Sequence, residues 1–284
     1  MSLENTAQIL YTACRAGYCV GAFNIVDYLS LEAAITAAET NHAPVIIQTS
    51  GAIVRRYGAK RLVAMTRTLA ENSFVPIGLH LDHGTEYELI KDCIESGYTS
   101  VMIDASLYPF EENITRTRQI VDLAHAHGVS VEGEIGVLAG VEDDLVVQEN
   151  KAAYTTPEEA IEFQSRTEVD FLAIAIGTAH GFYAKKPSLD VEILRIIHKQ
   201  VDFPLVIHGG SGLSMEVIHT LVSNGAAKFN LSTQIKKDYI ESLVTYLDAH
   251  ADEYNPLRMM DHTQQQLVNT IGKYMQVLGS AERY

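Results

Sequence analysis

Eight short apolar runs, rich in β-branched residues, alternate with segments of helical period along the 284-residue chain. This alternation is typical of βα units around a parallel sheet, because a helix must return the chain to the start of each next strand. The predicted strands are Val20–Ile25, Val45–Gln48, Ile77–Asp82, Ser100–Asp104, Ser130–Ile135, Phe171–Ile176, Leu205–His208 and Ala227–Asn230. The predicted helices include Leu31–Asn41, Arg61–Asn72, Ile114–His127, Glu158–Thr167, Val191–Gln200 and Met215–Asn224.

The pattern predicts an α/β fold, specifically a (β/α)8 TIM barrel in which residues 1–284 form a single domain with an additional C-terminal helix after Asn255 and Pro256. With 47% hydrophobic residues the chain can bury one large core, and no shift of composition divides it. An open doubly wound sheet is the alternative. No GxGxxG follows the first strand, which disfavours the dinucleotide-binding version of that sheet.

The net charge argues against two classes of partner, and the cysteines indicate the redox compartment. The formal net charge of −15 at pH 7 argues against nucleic acid and anionic membrane, because both need clustered Lys and Arg. A small phosphorylated metabolite needs only a few local N–H groups and one cation. Cys14, Cys19 and Cys93 contain no CxxC pair and suit a reducing compartment. No basic segment followed by a long apolar run opens the sequence, so we expect the protein in the cytoplasm.

Polar residues gather at one end of the predicted strands, where the active sites of such barrels lie. They include His83, His180 and His208, each beside an Asp or Gly at a different strand end. Three imidazoles can hold Zn²⁺ and leave room for a substrate, whereas a lone histidine usually makes only a local hydrogen bond. We therefore predict a catalytic zinc site. His80 lies two residues before Asp82, on the same strand face, and is interpreted as a histidine that supports a ligand or packs in the core, rather than as a ligand itself.

Two glycine-rich segments and two acidic residues complete the predicted site. GTAHG at residues 177–181 and HGGSG at residues 208–212 each follow a strand, where glycine N–H groups can approach a phosphate. Asp82 adjoins a predicted ligand and can act as acid and base on a substrate oxygen. Glu142 lies in a long segment after the fifth strand, and such segments without secondary structure are often functional lids.

These segments resemble the class II fructose-1,6- and tagatose-1,6-bisphosphate aldolases, most closely the bacterial tagatose-bisphosphate type. The resemblance runs from about Ala22 to Ser232. It is carried by AFN at Ala22–Asn24, HLDHG at His80–Gly84, MIDAS at Met102–Ser106, VEGEIG at Val131–Gly136, GVEDD at Gly140–Asp144, AIAIGTAHGFY at Ala173–Tyr183, HGGSG at His208–Gly212 and KFNLST at Lys228–Thr233.

The resemblance implies zinc-dependent, reversible cleavage of a ketose bisphosphate to dihydroxyacetone phosphate and an aldehyde such as glyceraldehyde 3-phosphate. Zinc on the three histidines would polarise the ketone and stabilise the enediolate. Asp82 matches the residue that takes the proton from the C4 hydroxyl, and Glu142 matches the acid that exchanges a proton with the enediolate carbon. Asp104 and Glu134 match residues that hold the metal in an alternative position.

The resemblance also implies the substrate site and the partners. The substrate-binding residues it predicts are Asn24, Ser50, Gly181, Gly209, Gly210, Ser211, Asn230, Ser232 and Thr233. A monovalent cation, Na⁺ or K⁺, assists at the phosphate site of the family. The expected partner is a small phosphorylated sugar, and the expected assembly is a homodimer or homotetramer.

One departure concerns the far phosphate of the sugar. Many relatives carry an arginine for it in the C-terminal segment, after an Asp-Pro-Arg stretch. Here the stretch is Asn255-Pro256-Leu257-Arg258, and Asp261 stands near the position of that arginine. Either Arg258 replaces it, or the substrate is a ketose 1-phosphate whose aldehyde half has no phosphate.

Three other functions are alternatives. A Schiff-base aldolase needs a desolvated lysine inside the barrel, and Lys228 is the candidate near a strand end. A metal-dependent hydrolase also uses histidines and an Asp, but no HxH opens the first strand and the glycine-rich segments would have no role. A non-catalytic accessory barrel that supports a tagatose-bisphosphate aldolase would not need three histidines together with Asp82 and Glu142.

Overall fold

Eight parallel strands form a closed barrel in the part of the chain that the computed structural model describes. This part comprises residues 3–142, 145–147, 153–183 and 187–284, with the backbone alone for residues 139, 141, 142 and 145–147. The barrel strands are β1 (Val20–Asn24), β2 (Val45–Ser50), β3 (Ile77–Gly84), β4 (Ser100–Ile103), β5 (Ser130–Ile135), β8 (Phe171–Ile174), β10 (Leu205–Ile207) and β11 (Ala226–Leu231). Their order around the barrel is β1-β11-β10-β8-β5-β4-β3-β2, which confirms the predicted (β/α)8 architecture.

Helices surround the barrel. The described helices are α1 (Thr6–Ala16), α2 (Tyr28–Thr40), α3 (Gly51–Tyr57), α4 (Ala59–Ala70), α5 (Tyr87–Ser96), α6 (Phe110–Ala126), α7 (Pro157–Thr167), α8 (Val191–Gln200), α9 (Met215–Ser223), α10 (Thr233–Ala249) and α11 (Pro256–Val277). Among them, none combines the length and apolar character needed to cross a membrane.

The predicted elements agree with the structure, with small shifts of their ends. The predicted C-terminal helix is α11, where Asn255 caps the helix by accepting a hydrogen bond from the N–H of Leu257. Pro256 fits the first turn because its nitrogen needs no partner there. At the carboxyl ends the strand predictions are less accurate, because β3 runs to Gly84 rather than Asp82. Helices α1 and α3 had no predicted counterpart.

A second, smaller sheet lies beside the barrel. It consists of β6 (Ala139–Glu142), β7 (Leu145–Val147) and β9 (Ala179–His180), in the order β7-β6-β9. The prediction of a segment without secondary structure after β5 is therefore wrong for residues 139–142 and 145–147, which pair as a hairpin and extend onto the strand that carries His180. A Cβ atom on Gly140 would lie 2.2 Å from the carbonyl oxygen of His180, so the close pairing requires glycine.

The barrel interior changes from apolar to polar along the strands. At its amino-terminal end, one cluster joins strand and α1 residues: Ala7, Ile9, Leu10, Ala13, Tyr18, Val20, Ala22, Ile46, Phe171, Ala173 and Val206. Further along the same inward faces stand buried polar residues, such as Asn24 after Ala22 and Gln48 after Ile46. Helix α1 thus closes one end of the barrel, and the polar groups face the other.

Candidate active site

The three predicted zinc ligands converge at the carboxyl ends of the strands. His83 lies near the end of β3, His180 in β9, and His208 directly after β10. One ring nitrogen from each lies within 4.8 Å of the others. The ring centroid of His83 lies 4.8 Å from that of His180 and 4.7 Å from that of His208. Three separate segments therefore bring their imidazoles to one point, as the sequence predicted.

An irregularity in β3 turns His83 into the site. The register between β3 and β4 shifts between Leu81 and Gly84, and His83 has a left-handed backbone with φ of 46°. In a regular strand the neighbours Asp82 and His83 would point to opposite faces. A bulge re-aims a side chain, which is how two adjacent residues both reach the site.

Two of the histidines are oriented by buried carboxylates. Nδ1 of His83 lies 2.8 Å from Oδ2 of Asp104, and Nε2 of His208 lies 2.7 Å from Oε1 of Glu132. The remaining nitrogens, Nε2 of His83 and Nδ1 of His208, face each other at 2.9 Å. Carboxylates behind the rings of metal-binding histidines fix which nitrogen meets the metal. These contacts point to Nε2 of His83 and Nδ1 of His208 as the atoms that would bind a metal ion.

The donor set fits zinc. Tetrahedral zinc with bonds of about 2.0–2.1 Å separates two ligand nitrogens by about 3.3 Å, close to the 2.9 Å between His83 and His208. Three imidazoles are the ligands of many catalytic zinc sites, which keep further positions open for substrate. His180 and His208 are buried, and His83 retains only 11% of its side-chain exposure.

Protonation also favours metal binding at two of the rings. The pKa values of His180 and His208 are lowered well below the usual histidine value, mainly by burial and next by the charge of His83. Both are therefore neutral, as metal ligands must be. Burial also lowers the pKa of His83, but the negative charges of Asp82 and Asp104 outweigh it and raise that pKa well above its usual value. A metal ion would have to displace this proton from His83.

A second set of ligands shares His83. Its ring lies with the carboxylates of Asp104 and Glu134 in a group whose ligand atoms are within 4.8 Å of one another. Burial raises the pKa of Asp104, but the hydrogen bond from His83 outweighs it and the pKa is lowered. Burial, and next the charge of Asp104, raises the pKa of Glu134 well above its usual value. The structure therefore brings together the residues predicted as an alternative metal position, and their metal-binding role stays a prediction.

Asp82 is held by amide groups on both of its oxygens. Nδ2 of Asn24 donates to Oδ2 of Asp82 at 2.7 Å, and Nδ2 of Asn230 donates to Oδ1 at 3.1 Å. Nε2 of Gln48 donates in turn to Oδ1 of Asn24 at 2.8 Å. Ser50 lies on the neighbouring strand β2, where it is the register partner of Asp82. The hydrogen bonds bring Asn24 and Asn230 to Asp82, and the strand register places Ser50 beside it.

The two glycine-rich segments are joined by Tyr183. Its hydroxyl accepts a hydrogen bond from the N–H of Ala179 at 3.0 Å and donates to the carbonyl of Gly209 at 2.8 Å. Gly209 has φ of 69°, and a Cβ there would lie 2.4 Å from the carbonyl oxygen of Ala179. The segments that carry His180 and His208 are therefore packed on each other.

The remaining predicted substrate residues lie around this junction. Gly181 and Gly210 belong to the two joined segments, and Ser211 accepts a hydrogen bond at Oγ from the N–H of Gln234 at 3.0 Å. Ser232 precedes α10 and Thr233 is its first residue. Glu142 ends β6, but its side chain lies outside the described residues, so its predicted role stays a prediction.

The sequence suggested Lys228 only as the lysine of the alternative Schiff-base reaction, and it gave Glu132 and Tyr183 no role in the site. Strand alternation gave a signal for two of them, because Glu132 shares a face with Glu134 and Lys228 with Asn230. Nothing in the sequence indicated the bridge made by Tyr183. Arg258 is 69% exposed and pairs with Glu253 at 3.1 Å near the start of α11.

A sequence profile of the family "Fructose-bisphosphate aldolase class-II" matches residues 4–283. The chain belongs to this family. It is therefore an aldolase, a carbon–carbon lyase, and the resemblance inferred from the sequence motifs is confirmed at the level of the family.

Solved structures agree with the family assignment. The YdjI aldolase from Escherichia coli K12 is 31% identical, with a TM-score of 0.87 over 99% of each chain. A candidate fructose-1,6-bisphosphate aldolase from Coccidioides immitis is 27% identical, with a TM-score of 0.91 over 98% of this chain and 97% of that one. Fructose-bisphosphate aldolase from Campylobacter jejuni, at 23% identity and a TM-score of 0.86 over 98% and 95%, shows the same fold.

Proposed function

We propose that this aldolase uses zinc to cleave a ketose bisphosphate, tagatose- or fructose-1,6-bisphosphate, reversibly to dihydroxyacetone phosphate and an aldehyde such as glyceraldehyde 3-phosphate. The observation that carries the proposal is the meeting of His83, His180 and His208 beside Asp82. When bound by these histidines, zinc supplies a Lewis acid that polarises the ketone of the substrate.

The residues of the chain supply the proton transfers. Asp82 takes the proton from the C4 hydroxyl, the bond between C3 and C4 breaks, and the aldehyde leaves. Glu142 delivers a proton to the carbon of the remaining enediolate, which gives dihydroxyacetone phosphate. The side-chain amides of Asn24 and Asn230 donate hydrogen bonds to the Asp82 carboxylate at 2.7 Å and 3.1 Å. These bonds keep the carboxylate in one orientation throughout the reaction.

The joined glycine-rich segments are the proposed phosphate site. Gly181, Gly209 and Gly210 offer backbone N–H groups without hindering side chains. Ser211, Ser232 and Thr233 add hydroxyl groups near the start of α10, whose N-terminus favours an anion. Na⁺ or K⁺ is proposed to assist there.

The aldehyde half has a second candidate form. Arg258 is exposed and pairs with Glu253, and Asp261 is exposed one turn along α11. These positions favour a ketose 1-phosphate with an unphosphorylated aldehyde half as the alternative substrate. A non-catalytic accessory role is the remaining alternative.

The Schiff-base mechanism has little support. Nζ of Lys228 lies 2.8 Å from Oε2 of Glu132 and donates to Oδ1 of Asn230 at 2.7 Å. An ammonium engaged in this way is not available as a free amine nucleophile. We expect that borohydride in the presence of substrate will not trap an adduct at Lys228, and trapping there would reverse the assignment.

A coupled assay for dihydroxyacetone phosphate tests the proposal. It compares fructose-1,6-bisphosphate, tagatose-1,6-bisphosphate and ketose 1-phosphates, with and without added zinc. We expect a chelator to abolish cleavage and zinc to restore it. His180→Ala should lose both activity and zinc, while His219→Ala, on the exposed face of α9, should keep both. Zinc-loaded protein that cleaves none of these sugars would favour the accessory role.

The assembly and location of the enzyme are also proposals. A homodimer or homotetramer is supported by the exposed apolar residues of α10, where Ile240 and Val244 are 57% and 52% exposed. Light scattering at micromolar concentration would test it. The cytoplasmic location stays a prediction.

A further inference from the structure

Lys228 and Glu132 are fully buried inside the barrel, beneath the proposed zinc ligands. Both side chains have no exposed surface, and Nζ of Lys228 lies 2.8 Å from Oε2 of Glu132. Neither residue has a part in the proposed reaction. A buried ion pair adds little to stability compared with apolar residues of similar size, so stability alone does not account for it.

We propose that Lys228 and Glu132 are a positioning pair that orients the metal ligand His208 and the proton acceptor Asp82 together. The inference rests on the proposed function, since it concerns the same zinc site and the same base.

One arm of the pair leads to the metal. Oε1 of Glu132 lies 2.7 Å from Nε2 of His208, while its Oε2 lies against Lys228. The carboxylate therefore holds the proton on Nε2 and leaves Nδ1 free to bind zinc. Lys228 in turn fixes the carboxylate, because it balances its charge and occupies the second oxygen. The orientation of the His208 ring thus depends on Lys228 through the carboxylate of Glu132.

The other arm leads to the base. Nζ of Lys228 donates to Oδ1 of Asn230 at 2.7 Å. An ammonium can bind only the oxygen end of an amide, so this contact decides which way the Asn230 amide points. Its Nδ2 then faces Oδ1 of Asp82 at 3.1 Å. Without Lys228 the amide of Asn230 could rotate and present its oxygen to the carboxylate.

His80 borders the same pair. Its Nε2 lies 3.4 Å from Oε2 of Glu132, and its Nδ1 lies 2.8 Å from Oγ of Ser100. The interpretation of His80 as a supporting or core histidine agrees with these contacts, since it packs behind the pair rather than at the metal.

Three variants separate positioning from mere charge balance: Lys228→Met, Glu132→Gln and the double variant. Lys228→Met alone leaves the buried charge of Glu132 without the lysine that balances it, so we expect this variant to be less stable than the wild type. The double variant removes both charges and keeps the volume, so its denaturation midpoint should return to that of the wild type. Lys199→Met, on the exposed end of α8, is the matched surface control.

If the pair positions the site, the double variant should regain the stability of the wild type but not its activity or its zinc affinity. In the double variant we expect kcat to fall about 10–100-fold with KM changed less than threefold, because Asp82 loses its orientation. Zinc affinity, measured by competition with a chromogenic chelator, should fall about 10–100-fold in both Glu132→Gln and the double variant. The residual activity should still be abolished by chelation, which a Schiff-base lysine would not allow.

A double variant with wild-type stability, kcat and zinc affinity would overturn the inference. If the double variant does not fold, unchanged zinc affinity in Glu132→Gln overturns it. Wild-type protein decides the proposed function separately. If it binds no zinc and cleaves no ketose phosphate, the proposed function fails, whereas active wild-type enzyme with unaffected variants contradicts only the positioning pair.

Discussion

Replacing Tyr183 by Phe removes one oxygen atom that joins the two segments carrying His180 and His208. The hydroxyl makes two hydrogen bonds, one from the N–H of Ala179 and one to the carbonyl of Gly209. A typical hydrogen bond contributes about 0.5–1.5 kcal/mol, so their loss should lower the free energy of unfolding by about 1–3 kcal/mol. If about 1 kcal/mol of that loss weakens the free energy of zinc binding, zinc affinity falls about fivefold.

Two measurements check this expectation. Equilibrium denaturation of the metal-free protein gives the loss of stability, and competition with a chelator gives the zinc affinity. Tyr246→Phe is the control. Tyr246 lies on α10, and its hydroxyl makes only a long hydrogen bond to Glu253, at 3.4 Å. If Tyr183→Phe unfolds like the wild type and binds zinc equally well, the two segments are held by their backbone packing and the argument fails.

Two further predictions follow from backbone crowding and from buried thiols. Gly140→Ala should abolish cleavage and weaken zinc binding, because its Cβ would lie 2.2 Å from the His180 carbonyl oxygen. Gly128→Ala is the control and should stay active, because Gly128 also has a positive φ but has nothing within 4 Å of the added Cβ. Burial raises the pKa of Cys14 to about 11 and that of Cys93 to about 12, while unfolded thiols ionise near 9.0. Stability in urea should therefore be full below pH 9 and fall as the pH rises towards 12. The buried thiol of Cys93 should also react slowly with Ellman's reagent at pH 8, and rapid reaction there would contradict its burial.

The barrel was predictable from the sequence because its signals are local. Each strand is a short apolar run, and each following helix has its own period, so eight repetitions left few other folds. The segment after β5 shows where this reasoning stops. Residues 139–142 and 145–147 pair with each other and with β9, and that pairing depends on the position of His180, about forty residues further on. No local pattern encodes such a contact.

The meeting of the three proposed ligands was also predictable, but their environment was not. His83, His180 and His208 were found because each stands at a strand end beside Asp or Gly. The pair behind them was harder to find, since a lysine inside a barrel normally suggests a nucleophile. Lys228 is read differently only when its contacts to Glu132 and Asn230 are known. The sequence therefore predicted which residues meet at the candidate site, and the structure was needed to find the groups that support them.

The irregular end of β3 explains why His83 does not follow the alternation of side chains expected along a strand. Alternation predicts that Asp82 faces the interior and that His83 faces away. A base and a metal ligand that act on the same substrate must both face it, and adjacent residues can do so only if the strand is distorted between them. The left-handed φ of 46° at His83 is that distortion, and such conformations cost about 1–3 kcal/mol. In a regular strand Asp82, the proposed proton acceptor, and His83, the proposed metal ligand, would face opposite sides, and this accounts for the strain.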